Sequence, residues 1–107
     1  MKHYEVCITQ TALKDMEKIY EYIAVQLCSP QTAMKQYNRI ADAILTLDVF
    51  PERFALLQSN IKLLKSLRRL LVDKFSVFYT IKGDSVVVIS VLYSASNIEE
   101  RLKDRMS

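Results

Sequence analysis

The chain reads as one α+β domain of order β-αα-βββ-α, an antiparallel sheet packed by a two-helix hairpin and followed by a short C-terminal helix. Three observations predict this. Apolar residues alternate near the amino end, recur at three- and four-residue spacing through the next two stretches, and fall into strand-like runs after residue 66. Pro30, Pro51 and the lone Gly83 stand where those patterns change. A chain of 107 residues, 50% apolar and 25% charged, suits a single domain over residues 1–107 with enough core to fold without staples.

Residues 3–9 place Tyr4, Val6 and Ile8 on one face and Glu5 on the other, the period of a half-buried strand. Thr9 or Thr11 then offers a helix cap. From Ala12 the stripe Leu13, Met16, Tyr20, Ile23 and Leu27 runs down a first helix. Ser29 supplies a capping hydroxyl and Pro30 the first helical position, where its missing N–H costs nothing. The second helix carries Ala33, Tyr37, Ile40, Ile44 and Leu47, so a tight Cys28-Ser29-Pro30 link predicts an antiparallel hairpin on one sheet face. Met16 and Met34, on or beside these stripes, read as core filler. Pro51 ends the helix, and Phe50-Pro-Glu-Arg-Phe54 opens an irregular connection to about Lys65 with the character of a functional loop. Strands follow at 67–72, 75–82 and 86–93 as a meander, the last two joined by Gly83-Asp84. Ser96-Asn-Ile-Glu99 has capping-box spacing and predicts a short helix to about Arg105.

The net charge is +3, but residues 53–82 hold Arg53, Lys62, Lys65, Arg68, Arg69, Lys74 and Lys82 against only Asp73, which leaves the rest slightly acidic. Clustered cations steer an anionic partner, a nucleic acid or an acidic peptide; the competing reading is a solvated face whose lysines guard strand edges. Cys7 and Cys28 have neither metal nor disulfide spacing, and His3 is the sole histidine and reads as an exposed terminal residue. No metal and no cofactor is therefore expected. Free buried thiols fit a reducing cytoplasm, and neither a signal core nor a bilayer-length apolar run is present, so a soluble cytoplasmic protein is expected.

Thr11-Ala-Leu-Lys-Asp-Met-Glu-Lys-Ile-Tyr-Glu-Tyr-Ile23, Ala43-Ile-Leu-Thr-Leu-Asp-Val-Phe-Pro51, Leu67-Arg-Arg-Leu-Leu-Val72, Val77-Phe-Tyr79 and Val91-Leu-Tyr93 stand in the order and at the spacing of one family. Through them essentially the whole chain resembles the RelE/ParE superfamily, toxins of bacterial type II toxin–antitoxin systems of the kind associated with plasmid stabilization. The resemblance implies a small cytoplasmic growth inhibitor neutralised by a cognate antitoxin encoded beside it. One branch of that family cleaves messenger RNA on the ribosome; the ParE-like branch poisons DNA gyrase.

Cleavage through a 2′-oxygen needs a proton acceptor, cations for the charged transition state and an acid for the leaving oxygen. The ribonuclease branch typically carries an Arg just before its Val-Phe-Tyr-like segment, where this chain has Ser76. Many relatives carry a Gly-Arg-Arg-Asp-like stretch after the last strand, where it reads Ser94-Ala95-Ser96-Asn97. Both departures remove cations and favour the ParE-like mode. A ribonuclease built on this chain would have to use Arg68, Arg69, Lys74 and Tyr93; a metal-free mRNA endonuclease and a non-toxic antitoxin-binding relative stay open as alternatives. Candidate partner-binding residues are Arg53, Lys65, Arg68, Arg69 and Lys74. By strand alternation one of the two adjacent arginines faces solvent, as a partner contact or in a salt bridge to Asp73 or Glu52. Tyr93 is either a packing residue with a wet hydroxyl or a proton donor and stacking platform.

Overall fold

The computed structural model describes residues 2–106. Strand β1 (Glu5–Ile8) leads into helix α1 (Gln10–Glu21), a wide π-helical turn over Tyr22–Gln26, and helix α2 (Pro30–Leu45). Strands β2 (Arg68–Val72), β3 (Phe75–Lys82) and β4 (Ser85–Tyr93) follow, and helix α3 (Ile98–Met106) closes the described chain. Thr9 caps α1, its hydroxyl accepting from the Ala12 N–H at 3.2 Å. Two other expected caps differ. The Ser29 hydroxyl donates to Thr32 Oγ1 rather than accepting a backbone N–H. The Ser96 hydroxyl donates to the Tyr93 carbonyl at 2.6 Å, and Asn97 Nδ2 donates to Glu100 Oε2 at 2.7 Å as α3 opens one residue later.

β2, β3 and β4 form the expected antiparallel meander, but the sheet as a whole is mixed. Its order is β1-β4-β3-β2, and β1 adds in parallel to β4, Glu5 opposite Ser85 and Ile8 opposite Val88. The reason is topological: a helix hairpin returns the chain across one face, so β2 to β4 are laid down beyond it and β4 comes back alongside β1 in the same direction. Alternation then sorts the side chains. Leu70, Val72, Val77, Tyr79, Val86, Val88 and Val91 pack on Ala12, Met16, Ile40 and Ile44 of the hairpin. Leu67, Phe78 and Leu92 point to the other face, under Leu102 of α3 and Leu64.

The helical stripes hold where the helix is regular. Ile40, Ile44 and Leu47 are fully buried, whereas Leu27 is 58% exposed and Met34 48% exposed, so neither is core filler. A π turn takes more residues than an α turn, which rotates the face expected to bury Leu27 away from the sheet. Cys7 is half-buried and Cys28 exposed, so the thiols are free but not both buried. His3 is exposed, 3.8 Å from Asp48.

Candidate functional site

β1 ends at Ile8 while β4 continues to Tyr93, so the last part of β4 has no strand beside it on that edge. Facing this gap stand the end of α1 and the π turn that follows it. Between the two lies a cleft of about 820 Å³, with Ile19, Ile23, Phe75, Val91 and Leu92 inside it and Tyr22, Leu27 and Tyr93 at its mouth. Tyr22 is 60% and Tyr93 47% exposed, so open aromatic surface borders the apolar floor. Lys18, Lys74 and Arg101 stand around the cleft, all exposed and without an ion-pair partner among the described residues. Asp73, the acid on that rim, is already claimed: Arg39 forms a two-point pair with it at 2.7 and 2.9 Å and Gln36 donates at 3.0 Å. Those bonds, Arg39's first, hold the Asp73 carboxyl below the usual carboxylate range. The cleft therefore presents an apolar floor inside a cationic rim, which suits an amphipathic acidic segment.

The residues singled out from sequence divide into two kinds. Lys65 and Lys74 are exposed, and Lys74 joins the rim. The three arginines are instead structural. Arg53 Nη1 donates to the Val49 and Phe50 carbonyls at 2.6 and 3.0 Å, and Nη2 to Thr46 Oγ1 at 3.0 Å, so it closes the end of α2. Its guanidinium also lies 4.6 Å from the Phe54 ring centre. Arg68 donates to the Glu52 and Phe54 carbonyls at 3.0 and 2.7 Å. Arg69 Nε donates to Ser76 Oγ at 2.8 Å, and Ser76 and Ser94 share a bond of 2.7 Å. Neither Arg68 nor Arg69 bridges to the Asp73 or Glu52 carboxylate; Asp73 is held by Arg39.

Register keeps the conditional ribonuclease set apart. Arg69 lies opposite Phe78, and Ser76 opposite Leu92, so Arg69 shares its face with Ser76 and Leu92. Tyr93 is one residue further and faces the other way, its ring edge-on to Phe75 at 5.9 Å. Arg68 is on the Tyr93 side but pairs with Tyr79, at the far end of β2. The Phe50–Phe54 segment is correspondingly a tied strap: the buried Tyr79 hydroxyl donates to the Pro51 carbonyl at 2.6 Å and Tyr4 to Glu52 at 3.2 Å. Burial pushes the Tyr79 hydroxyl up to about 12.

Sequence reading missed the buried polar knot beside the cleft. Asp15 Oδ2 accepts from Ser90 Oγ at 2.8 Å, from the Val91 N–H at 3.0 Å and from Arg105 at 2.5 Å, and Arg105 also donates to Ser90. Asp15 thus replaces the strand that β4 lacks there, and draws α3 over the open edge. The only local signal was an acid among the apolar positions of α1. Lys18 and Arg101 were missed because they lie outside the 53–82 cation run.

The family model for the ParE toxin of type II toxin–antitoxin systems of the parDE kind matches residues 6–98. No curated protein matches the sequence significantly. Among solved structures, the chromosomal ParDE toxin–antitoxin system of P. aeruginosa is similar at 22% identity and a TM-score of 0.72, covering 85% of this chain and 96% of that one. The toxin–antitoxin complex RelBE2 of Mycobacterium tuberculosis follows at 19% identity, TM-score 0.62, with 85% and 98% covered. A mutant of E. coli toxin RelE in the free state gives 15% identity and a TM-score of 0.61, with 98% and 99% covered.

Proposed function

This chain belongs to the family of ParE toxins of type II toxin–antitoxin systems, and we propose that it arrests growth as ParE-like toxins do, by poisoning DNA gyrase, while a cognate antitoxin encoded beside it holds it silent. The observation that carries the choice is the dispersal of the ribonuclease set. Arg68 and Arg69 emerge on opposite faces, each spent on a bond within the fold. Tyr93 has neither of them as a neighbour on its strand register. Charge stabilisation at a scissile phosphate requires preorganised donors converging on one oxygen, and Lys74 alone does not supply that.

The cleft between α1 and the end of β4 is the antitoxin site in this reading. Its apolar floor supplies the contact area that keeps a complex from dissociating, and Lys18, Lys74 and Arg101 speed capture of an acidic segment. Capture is then salt-dependent, and dissociation depends on residues such as Tyr22 and Tyr93.

Inducing the chain alone in bacteria, then following protein synthesis and plasmid supercoiling separately, tests the proposal. Growth arrest with supercoiling disturbed first, relieved by co-expressed antitoxin, is the expected result. Early loss of translation with cleaved messages would move the chain to the ribonuclease mode; unimpaired growth beside tight antitoxin binding would leave a non-toxic partner protein.

A further inference from the structure

On the outer side of the helix hairpin, α1 and α2 part to leave a second hollow of about 390 Å³. Tyr20 and Tyr37, half-buried and set edge to face with ring centres 6.3 Å apart, form its apolar wall with Met34, which is 48% exposed. The charged groups at its rim are both acids. Glu17 and Glu21 lie one turn apart on α1, exposed and without an ion-pair partner among the described residues. Lys14 and Lys18 neighbour them on the helix but pair with neither and line no part of the hollow. Helix α1 therefore divides two surfaces of opposite sign, the cationic cleft on the side of Lys18 and this acidic hollow on the other.

We propose that this hollow is where the toxin grips its gyrase target, by seating an arginine-bearing, partly apolar segment of that protein. The inference rests on the reading of the chain as a gyrase poison and adds the surface that does the binding. Wall and rim together fit a guanidinium: its plane stacks on tyrosine rings, its fork donates two parallel bonds to a carboxylate, and its stem packs on Met34. Charge decides against the competing occupants. A nucleic acid, whether DNA on gyrase or RNA on a ribosome, sets its phosphates against two carboxylates. An acidic antitoxin segment is repelled here and drawn instead to Lys18, Lys74 and Arg101 around the cleft. A second copy seated hollow to hollow brings two carboxylates against another two, with no cation lining the hollow to meet them. The hollow and the cleft share no residue, so substitutions can separate what each one binds.

The test compares the parent with Glu17→Lys plus Glu21→Lys in three measurements: poisoning of purified gyrase on plasmid DNA, affinity for gyrase without DNA at several salt concentrations, and affinity for the antitoxin encoded beside the toxin. The reversed pair should raise the concentration for half-maximal poisoning roughly tenfold or more and weaken gyrase binding in step. Antitoxin affinity should hold, and the melting temperature should stay near that of the parent because both positions are exposed. Glu17→Gln plus Glu21→Gln keeps the shape, serves if the reversed chain does not fold, and should flatten the salt dependence of gyrase binding. Gyrase binding and poisoning unchanged in both variants would overturn the hollow as the docking surface and leave the gyrase reading standing. A parent that neither binds nor poisons gyrase would overturn both. Antitoxin affinity that falls as far as gyrase affinity would assign the face to the antitoxin, and a parent dimer broken by the reversed pair would assign it to a second copy; either result overturns the proposal.

Discussion

Replacing Asp15 by Asn should remove a large share of the stability of this domain. The carboxylate is 4% exposed and its Oδ2 takes three donors, one from β4's backbone, one from Ser90 and one from Arg105, whose side chain is 20% exposed. An amide oxygen can still accept a bond, but the charge opposite Arg105 is gone. Breaking a buried pair from one side typically costs about 3–5 kcal/mol. Because Arg105 keeps some solvent, the lower end applies, about 3 kcal/mol, against a total of roughly 5–15 kcal/mol for a domain. At roughly 4 °C per kcal/mol the melting temperature should fall by about 12 °C. Urea titrations of Asp15→Asn, Arg105→Met and the double variant measure the coupling, expected at about 1–3 kcal/mol. A loss under about 1 kcal/mol for Asp15→Asn, or strictly additive single effects, would refute the view that this knot joins α1, β4 and α3.

Tyr79→Phe should cost about 1–2 kcal/mol, since it leaves the Pro51 carbonyl without its donor. In the parent, the folded Tyr79 value near 12 lies above the ordinary 10.0, so that contribution is intact below pH 10 and lost as pH rises through 12; alkaline denaturation should show this limb only in the parent. Arg53→Ala should lower stability by about 1 kcal/mol, by freeing carbonyls at the end of α2, with antitoxin affinity unchanged in a titration. Ile44→Asp, at a fully buried position, should cost several kcal/mol; an unchanged melting temperature would remove Ile44 from the core. Lys74→Glu with Arg101→Glu should slow antitoxin association and flatten its salt dependence in stopped-flow traces, with little change in dissociation.

Much of the architecture was legible because it is local. Thr9 as a cap, Pro30 at a helix start, Gly83 at a turn with φ of +59° and the stripe Ile40, Ile44, Leu47 each follow from a few neighbouring residues. The parallel pairing of β1 with β4 joins residues far apart in the chain, and no local pattern encodes it. A constant 3.6-residue period carried through the π turn places Leu27 inside, whereas Met34, in the regular helix α2, sits beside the buried stripe of Ala33, Ile40 and Ile44 and faces outward. The site was less legible than the fold. An arginine looks alike in sequence whether it meets a partner or bonds within the fold, and here Arg53 and Arg68 hold the carbonyls of the 49–54 connection while Arg69 bonds across to Ser76 of β3. Asp15 meets Arg105 across 90 positions, so its role is visible only after folding. Lys74 was found because it sits in a turn that the sequence itself marks out.

The most direct test of the central claim, that this toxin acts without cutting RNA, is primer extension on messages bound to translating ribosomes after adding the purified chain. Intact messages are expected at concentrations that stop growth in cells, with no difference between the parent, Arg69→Ala and Tyr93→Phe. Site-specific cleavage that disappears in both variants would contradict the account, since it would require Arg69 and Tyr93, which face opposite sides of the sheet, to act on one phosphate.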